Sequence, residues 1–184
     1  YDPSAAMLAG LKEAVPFRLS DLDYVAHGST VATNAILERK GARAALLVTQ
    51  GFRDLLAIGR QNRPELYALH PTLPPPLIGS DCCFEIPERL DHNGVPLIPL
   101  DLAETDRILD EIERRHFDAV GVCLLYSYVN PDHERQIRAR IVERGIMTHD
   151  RVILSSDILP EFREYERAST VALEAYVRPL VDHY

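Results

Sequence analysis

The chain has 184 residues, enough for one domain with a sizeable buried core. Its hydrophobic fraction of 46% and charged fraction of 26% are ordinary for a globular protein. A net charge of −8 without any Lys/Arg run argues against a nucleic-acid or membrane-surface partner, and no apolar stretch approaches the ~20 residues of a membrane span.

In chain order, Ala5, Ala6, Met7, Leu8 and Leu11 follow Pro3-Ser4 with the spacing of a short amphipathic helix, which Pro16 breaks. Residues 22–26 read as a strand. Gly28 then frees the backbone for a turn, and Ser29 or Thr30 is placed to cap a helix running from Val31 to about Lys40 and stopping at Gly41. A strand delivering the chain to a hydroxyl-rich helix N-terminus favours an anion, because unpaired N–H groups and the helix dipole point at one spot. An ordinary helix cap fits the same residues.

Residues 44–48 form a continuous apolar run, as expected of a strand covered on both faces. Gly51 turns the chain into a short helix from Phe52 that ends near Gly59. From Arg60 to Leu100 prolines rule out long helices, and Pro74-Pro75-Pro76 predicts a stiff extended segment. Within it, residues 83–86 and 95–98 read as short strands flanking the turn around Asn93-Gly94. Residues 60–100 are thus expected to be a hairpin-containing excursion from the core.

Regular alternation returns at Asp101, which with Glu104 forms a capping-box-like start for a helix to about His116. Residues 119–125 form a second buried strand. Asn130-Pro131-Asp132 starts a helix whose core face carries Ile137, Ile141 and Val142 and which stops at Gly145. Residues 152–154 form a third strand, and after Pro160 a last helix places Tyr165, Ser169, Ala172 and Tyr176 along one stripe. Strands alternating with helices predict an α/β fold with a largely parallel sheet and flanking helices.

Chemistry-bearing motifs are sparse. The three cysteines, Cys82, Cys83 and Cys123, suit a reducing, cytoplasmic setting. The seven histidines show no metal-ligand spacing, so no metal site is expected. His27 flanks the Gly28 turn, where a proton-donor role and a plain turn histidine are both open. Asp132-His133-Glu134 complements a helix dipole. Arg60-Gln61-Asn62-Arg63 could clamp a phosphate or carboxylate, or simply be solvated. The alternating charges of residues 161–167 read as a solvated helix face.

The wording of the sequence says more. His27-Gly28-Ser29-Thr30-Val31-Ala32-Thr33-Asn34 and its continuation to Gly41 closely resemble the hydantoinase/oxoprolinase family, in the N-terminal region of its A-type subunit. Thr49-Gln50-Gly51-Phe52-Arg53-Asp54, Ile58-Gly59-Arg60-Gln61-Asn62-Arg63-Pro64 and Asn130-Pro131-Asp132-His133-Glu134 continue the likeness. So does the stretch from Ser155 through Glu161-Phe162-Arg163-Glu164-Tyr165-Glu166-Arg167 to Thr170, so that the resemblance covers essentially the whole chain as one N-terminal domain, residues 1–184.

The resemblance implies an actin-like (ribonuclease H-like) ATPase fold using ATP and Mg²⁺. It implies opening of a small cyclic amide, a hydantoin or 5-oxoproline, together with a hydantoinase B-type partner; relatives in the family carboxylate ketones. Amide resonance lowers the electrophilicity of the carbonyl, and phosphorylating the amide oxygen would remove that resonance and create a leaving group. On this likeness Ser29, Thr30, Thr33 and Asn34 are expected near the phosphates, and Arg60 and Arg63 near substrate. The family's Asp-x-Gly-Gly-Thr-Phe-Thr-Asp phosphate motif is expected upstream of Tyr1 and a second glycine-rich nucleotide motif downstream of Tyr184. The piece alone is therefore expected not to hydrolyse ATP, and a role as a folded assembly module is the reading of another class.

Overall fold

A computed structural model describes residues 28–62 and 74–182, with a few isolated positions before and between them. The expected N-terminal helix and the strand at residues 22–26 lie largely outside the described residues, as do His27 and Arg63.

The described elements alternate along the chain. They run α1 (Val31–Leu37), β1 (Ala44–Thr49), α2 (Leu55–Ile58), β2 (Cys83–Ile86), β3 (Arg89–Leu90), β4 (Pro96–Ile98) and α3 (Leu102–Arg115). Then come β5 (Ala119–Cys123), α4 (Asp132–Glu143), β6 (Val152–Leu154), α5 (Ser155–Ile158) and α6 (Glu164–Val181). Four strands form one parallel sheet in the order β2-β1-β5-β6. Every residue of β1, β5 and β6 is buried, which is why these segments read as unbroken apolar runs rather than alternating ones.

Helices cover both faces. On one, Leu109 and Ile112 of α3 and Ile137 and Ile141 of α4 meet Leu47, Val120 and Val122. On the other, Ala168, Val171 and Ala172 of α6 meet Leu46 and Val48. Small residues let α6 approach closely: a Cβ on Gly121 would stand 2.6 Å from the Val171 side chain. Each fully buried Leu or Ile contributes about 1.5–3 kcal/mol, so these two layers dominate the driving force.

Local chemistry sets the ends. Asp101 caps α3, its carboxylate accepting from the N–H groups of Ala103 (2.8 Å) and Glu104 (3.1 Å). Glu104 does not close the capping box but pairs with Arg107. Gly145, with φ +68, terminates α4 while Ile146 N–H donates back to Ile141 O. The first helix is shorter than its sequence suggests. It ends at Leu37 in a Schellman turn, with Arg39 left-handed at φ 55 and Lys40 N–H donating to Ala35 O. Gly41 has a different reason to be glycine: a Cβ there would lie 2.0 Å from the Tyr176 ring.

The middle region corrects a second expectation. Residues 83–86 do not pair with residues 95–98; they form β2, which joins the main sheet alongside β1, Leu46 opposite Cys83. The hairpin around Asn93-Gly94 is real but is built from β3 and β4, outside that sheet. Asp91 holds its turn, accepting from the N–H groups of Asn93 and Val95 at 2.9 and 2.8 Å. No described helix is long and apolar enough to cross a membrane.

Candidate functional site

Because the four strands are parallel, their C-terminal ends share one edge. From there the chain leaves β1 toward α2, which packs on the α6 side, and leaves β5 toward α4, on the opposite face. Adjacent parallel strands whose onward connections go to opposite faces leave a crevice between them, the usual ligand position in open α/β sheets. Thr49, Phe52 and Leu55 from the β1 side and Cys123, Leu124 and Leu125 from the β5 side line this crevice, which Glu164 and Arg167 of α6 complete.

Two buried polar networks lie at this edge. The first centres on Arg167, 0% exposed, whose Nη2 donates to Leu124 O (2.6 Å), to Ser155 Oγ (2.6 Å) and to Ser127 Oγ. Ser155 Oγ in turn donates to Glu134 at 2.6 Å, and Glu134, also 0% exposed, stands 3.8 Å from Arg167. The remaining Glu134 capacity is filled by the N–H groups of Leu124 and Ser156, both at 3.0 Å, and by Ser156 Oγ at 2.8 Å. A buried carboxylate this fully hydrogen-bonded meets the condition under which an interior charge is tolerated.

In the second network Thr49 Oγ1 donates to Glu88 and accepts from Leu125 N–H at 3.0 Å. The other Glu88 oxygen meets His133 Nδ1 at 2.7 Å. The loop after β5 that both networks hold contains Tyr126 with φ 56, a conformation that costs a non-glycine residue on the order of 1 kcal/mol or more. Cys123 is not a nucleophile here: burial pushes its thiol up to about 12, so it stays protonated.

The residues singled out from sequence fall elsewhere. Ser29, Thr30, Thr33 and Asn34 are all exposed around the start of α1. Ser29 Oγ accepts from Val31 N–H at 3.2 Å, and Asn34 Nδ2 donates to Thr30 Oγ1 at 3.3 Å, while Thr30 makes no side-chain cap. Arg60 is tied to α6: its Nε donates to Glu166 at 2.8 Å and its guanidinium lies 5.6 Å from the Tyr165 ring centre. The Arg60 hydrogen bond holds the Glu166 carboxyl below its usual range. Among the described residues no hydrogen bond or ion pair joins the Ser29–Asn34 group to Arg60.

Arg167 corrects the reading of residues 161–167 as a solvated face; at the start of α4, His133 and Glu134, read from sequence as complementing the helix dipole, are buried as well. A signal was present in each case. Arg167 precedes Val171 and Ala175 by one and two helical steps of four, and Glu134 precedes Ile137 and Ile141 by three and seven. Both charges therefore sit on the apolar stripe of their helix.

Comparison with known proteins fits this architecture. The caprolactamase of Pseudomonas jessenii is similar in sequence and structure. Its subunit alpha is 30% identical over 90% of this chain and 24% of its own length. The crystal structure of that ATP-dependent enzyme superposes with a TM-score of 0.80 at 28% identity, over 98% of this chain and 27% of the other. 5-Oxoprolinase 1 of Arabidopsis thaliana is 33% identical over 89% of this chain and 14% of its own length. The acetophenone carboxylase gamma subunit of Aromatoleum aromaticum is 33% identical over 87% and 23%. The chain thus spans no more than about a quarter of the curated relatives it matches. The model of the hydantoinase/oxoprolinase N-terminal region matches residues 2–145, and the chain belongs to the hydantoinase/oxoprolinase family.

Proposed function

We propose that this chain contributes to an ATP-dependent hydrolase that opens small cyclic amides of the hydantoin or 5-oxoproline type. The observation that carries the proposal is the superposition on an ATP-dependent caprolactamase along 98% of the chain. In this reading the chain is part of an actin-like ATPase fold in a cytoplasmic assembly with a hydantoinase B-type partner. The words "subunit alpha" and "gamma subunit" in relatives' names support a multi-subunit arrangement.

ATP would supply the phosphoryl group that turns the amide oxygen into a leaving group. The exposed hydroxyls of Ser29, Thr30 and Thr33 and the Asn34 amide, held by Thr30, are suited to hydrogen-bond phosphate oxygens. Arg60, with Arg63, would stand on the substrate side, Arg60 steadied by Glu166. Among the described residues no three His, Cys, Asp or Glu side chains converge as metal ligands. A Mg²⁺ accompanying ATP would be held at least in part by phosphates and water, its common mode of binding.

The test uses the full-length protein with its partner. ADP release should depend on a hydantoin or lactam; absence of coupling with any cyclic amide defeats the proposal. A second reading, a ketone carboxylase subunit, is favoured by the likeness to the acetophenone carboxylase gamma subunit. Strict dependence of ADP release on bicarbonate and a ketone, with a carboxylate product, would select it. Replacing Thr30 and Asn34 together with alanine should reduce turnover far more than stability, and equal losses would make them mere helix-start residues.

A further inference from the structure

We propose that Asn93 is a self-modification site: when the bonds to Asp91 that close the hairpin turn open, Asn93 converts through a succinimide to aspartate or isoaspartate, and the product frees the hairpin tip from the start of α4. The proposal is independent of the reaction assigned above.

Packing imposes the labile pair. Gly94 has φ +78, and a Cβ on it would stand 2.9 Å from Asn130 Cβ and 3.2 Å from Val129 Cγ1, so only glycine fits. Asn93, exposed at the turn, is therefore followed by the one residue whose backbone nitrogen has no side chain to hinder it. In the conversion that nitrogen attacks Asn93 Cγ. A C–N bond forms, and the side-chain amide leaves as ammonia, taking up the Gly94 N–H proton by way of solvent. Water then opens the ring. Cleavage at the former side-chain carbonyl gives aspartate; cleavage at the main-chain carbonyl gives isoaspartate, in which the chain runs through the old side chain.

The closed turn holds the nucleophile back. Gly94 N–H donates to Asp91 O at 3.0 Å, which occupies its proton and fixes its peptide plane. The Asp91 carboxylate accepts from the N–H groups of Asn93 and Val95 at 2.9 and 2.8 Å, so both sides of the reacting peptide are tied to one residue. Chiefly through the Val95 bond, the Asp91 carboxyl is held below its usual range and so stays an acceptor. From the far side, Asn130 Nδ2 donates to Gly94 O at 2.9 Å. Conversion thus waits on local opening of the hairpin.

Asn130 carries the consequence inward. Its Oδ1 accepts from Asp132 N–H at 3.0 Å at the start of α4, whose next residues, His133 and Glu134, meet Glu88 and Arg167. Isoaspartate adds a methylene to the backbone ahead of Gly94. Gly94 then cannot keep its N–H on Asp91 O and its carbonyl on Asn130 together. Aspartate instead sets a second negative charge beside the Asp91 carboxylate, which loosens the same turn.

The experiment is peptide mapping by mass spectrometry of the full-length protein held at neutral pH, in buffer and in unfolding urea. Asn93 should convert in the folded protein, but at least about tenfold more slowly than in urea. Folded Asp91→Ala should convert about tenfold faster than wild type, the factor implied by losing two backbone hydrogen bonds. Asn93→Gln, which would have to close a larger ring, should stay unmodified. Because Asp91→Ala can lose the hairpin altogether, amide hydrogen exchange at Gly94 gives a second reading in the wild type. Across low urea concentrations the conversion rate should rise in proportion to that exchange. The Asn130 side-chain amide resonance should move as product accumulates and stay fixed in Asn93→Gln kept alongside. Conversion as fast folded as unfolded, no product in Asp91→Ala, rates indifferent to Gly94 exchange, or an Asn130 resonance unmoved by conversion each overturns the proposal.

Discussion

Two arginine–carboxylate clusters in this molecule use the same chemistry in opposite settings. At the strand ends Arg167 and Glu134 are both 0% exposed and are bridged by Ser155. Between α3 and α4, Arg140 grips Asp106 with bonds of 2.8 and 2.6 Å while Arg144 reaches Asp106 and Asp110, all of them partly open to solvent. The second cluster has the better-aligned fork, yet water competes for every one of its bonds. The first has a looser charge contact, but both ions are shut away from water and rely wholly on protein partners. Burial, not bond geometry, decides which cluster the fold depends on.

The comparison is broken most forcefully at Arg167. Arg167→Met should cost about 3–5 kcal/mol in denaturant unfolding, because Glu134 is left charged and buried. Replacing both, Arg167→Met with Glu134→Leu, should recover most of that loss, since the pair as a whole is worth far less than either broken half. A double variant as unstable as the single one would show that the serine and backbone bonds, not the ion pair, hold this edge. Asp101→Ala provides a surface calibration: removal of the α3 cap should cost about 1 kcal/mol, well below the buried pair.

The smallest effect belongs to the exposed cluster and is best read by titration. The Arg140 hydrogen bonds hold the Asp106 carboxyl down to about 2. Since the folded value is depressed, its contribution to stability is complete above the ordinary carboxylate range near 4 and is lost as pH falls toward 2. Carboxyl chemical shifts should place the Asp106 midpoint near 2 in the wild type and higher in Arg140→Met, though still below the ordinary ~4 because Arg144 remains beside it. An unmoved midpoint would assign the depression to Arg144 instead.

How far the sequence disclosed this architecture follows from the range of the forces involved. β1, β5 and β6 were legible because strands covered on both faces are apolar throughout, and the caps at Asp101 and Gly145 because they are local. β2 was misassigned to the hairpin because Asn93-Gly94 is a strong neighbouring turn signal, whereas pairing of Cys83 with Leu46 is decided by packing far along the chain. The crevice was missed because charge density suggested solvent, while the helical phase of Arg167 and Glu134 pointed inward. The turn bearing Ser29 and Thr30 was legible as a helix start because the signals for it are local.

The strand order also sets a timetable. β1 is flanked in the sheet by β2 and by β5, and Ala44 must wait for Ala119 before its outer side is closed. During synthesis at the ribosome, β2 reaches β1 first and shields one flank, while the other stays a bare row of amide and carbonyl groups on a wholly apolar strand. Such a row is a template for neighbouring chains. Doubling the length of the intervening segment would add only about 0.6 kcal/mol of closure entropy, so the hazard is one of delay and not of final stability. Nascent chains halted before β5 are the species most exposed to it.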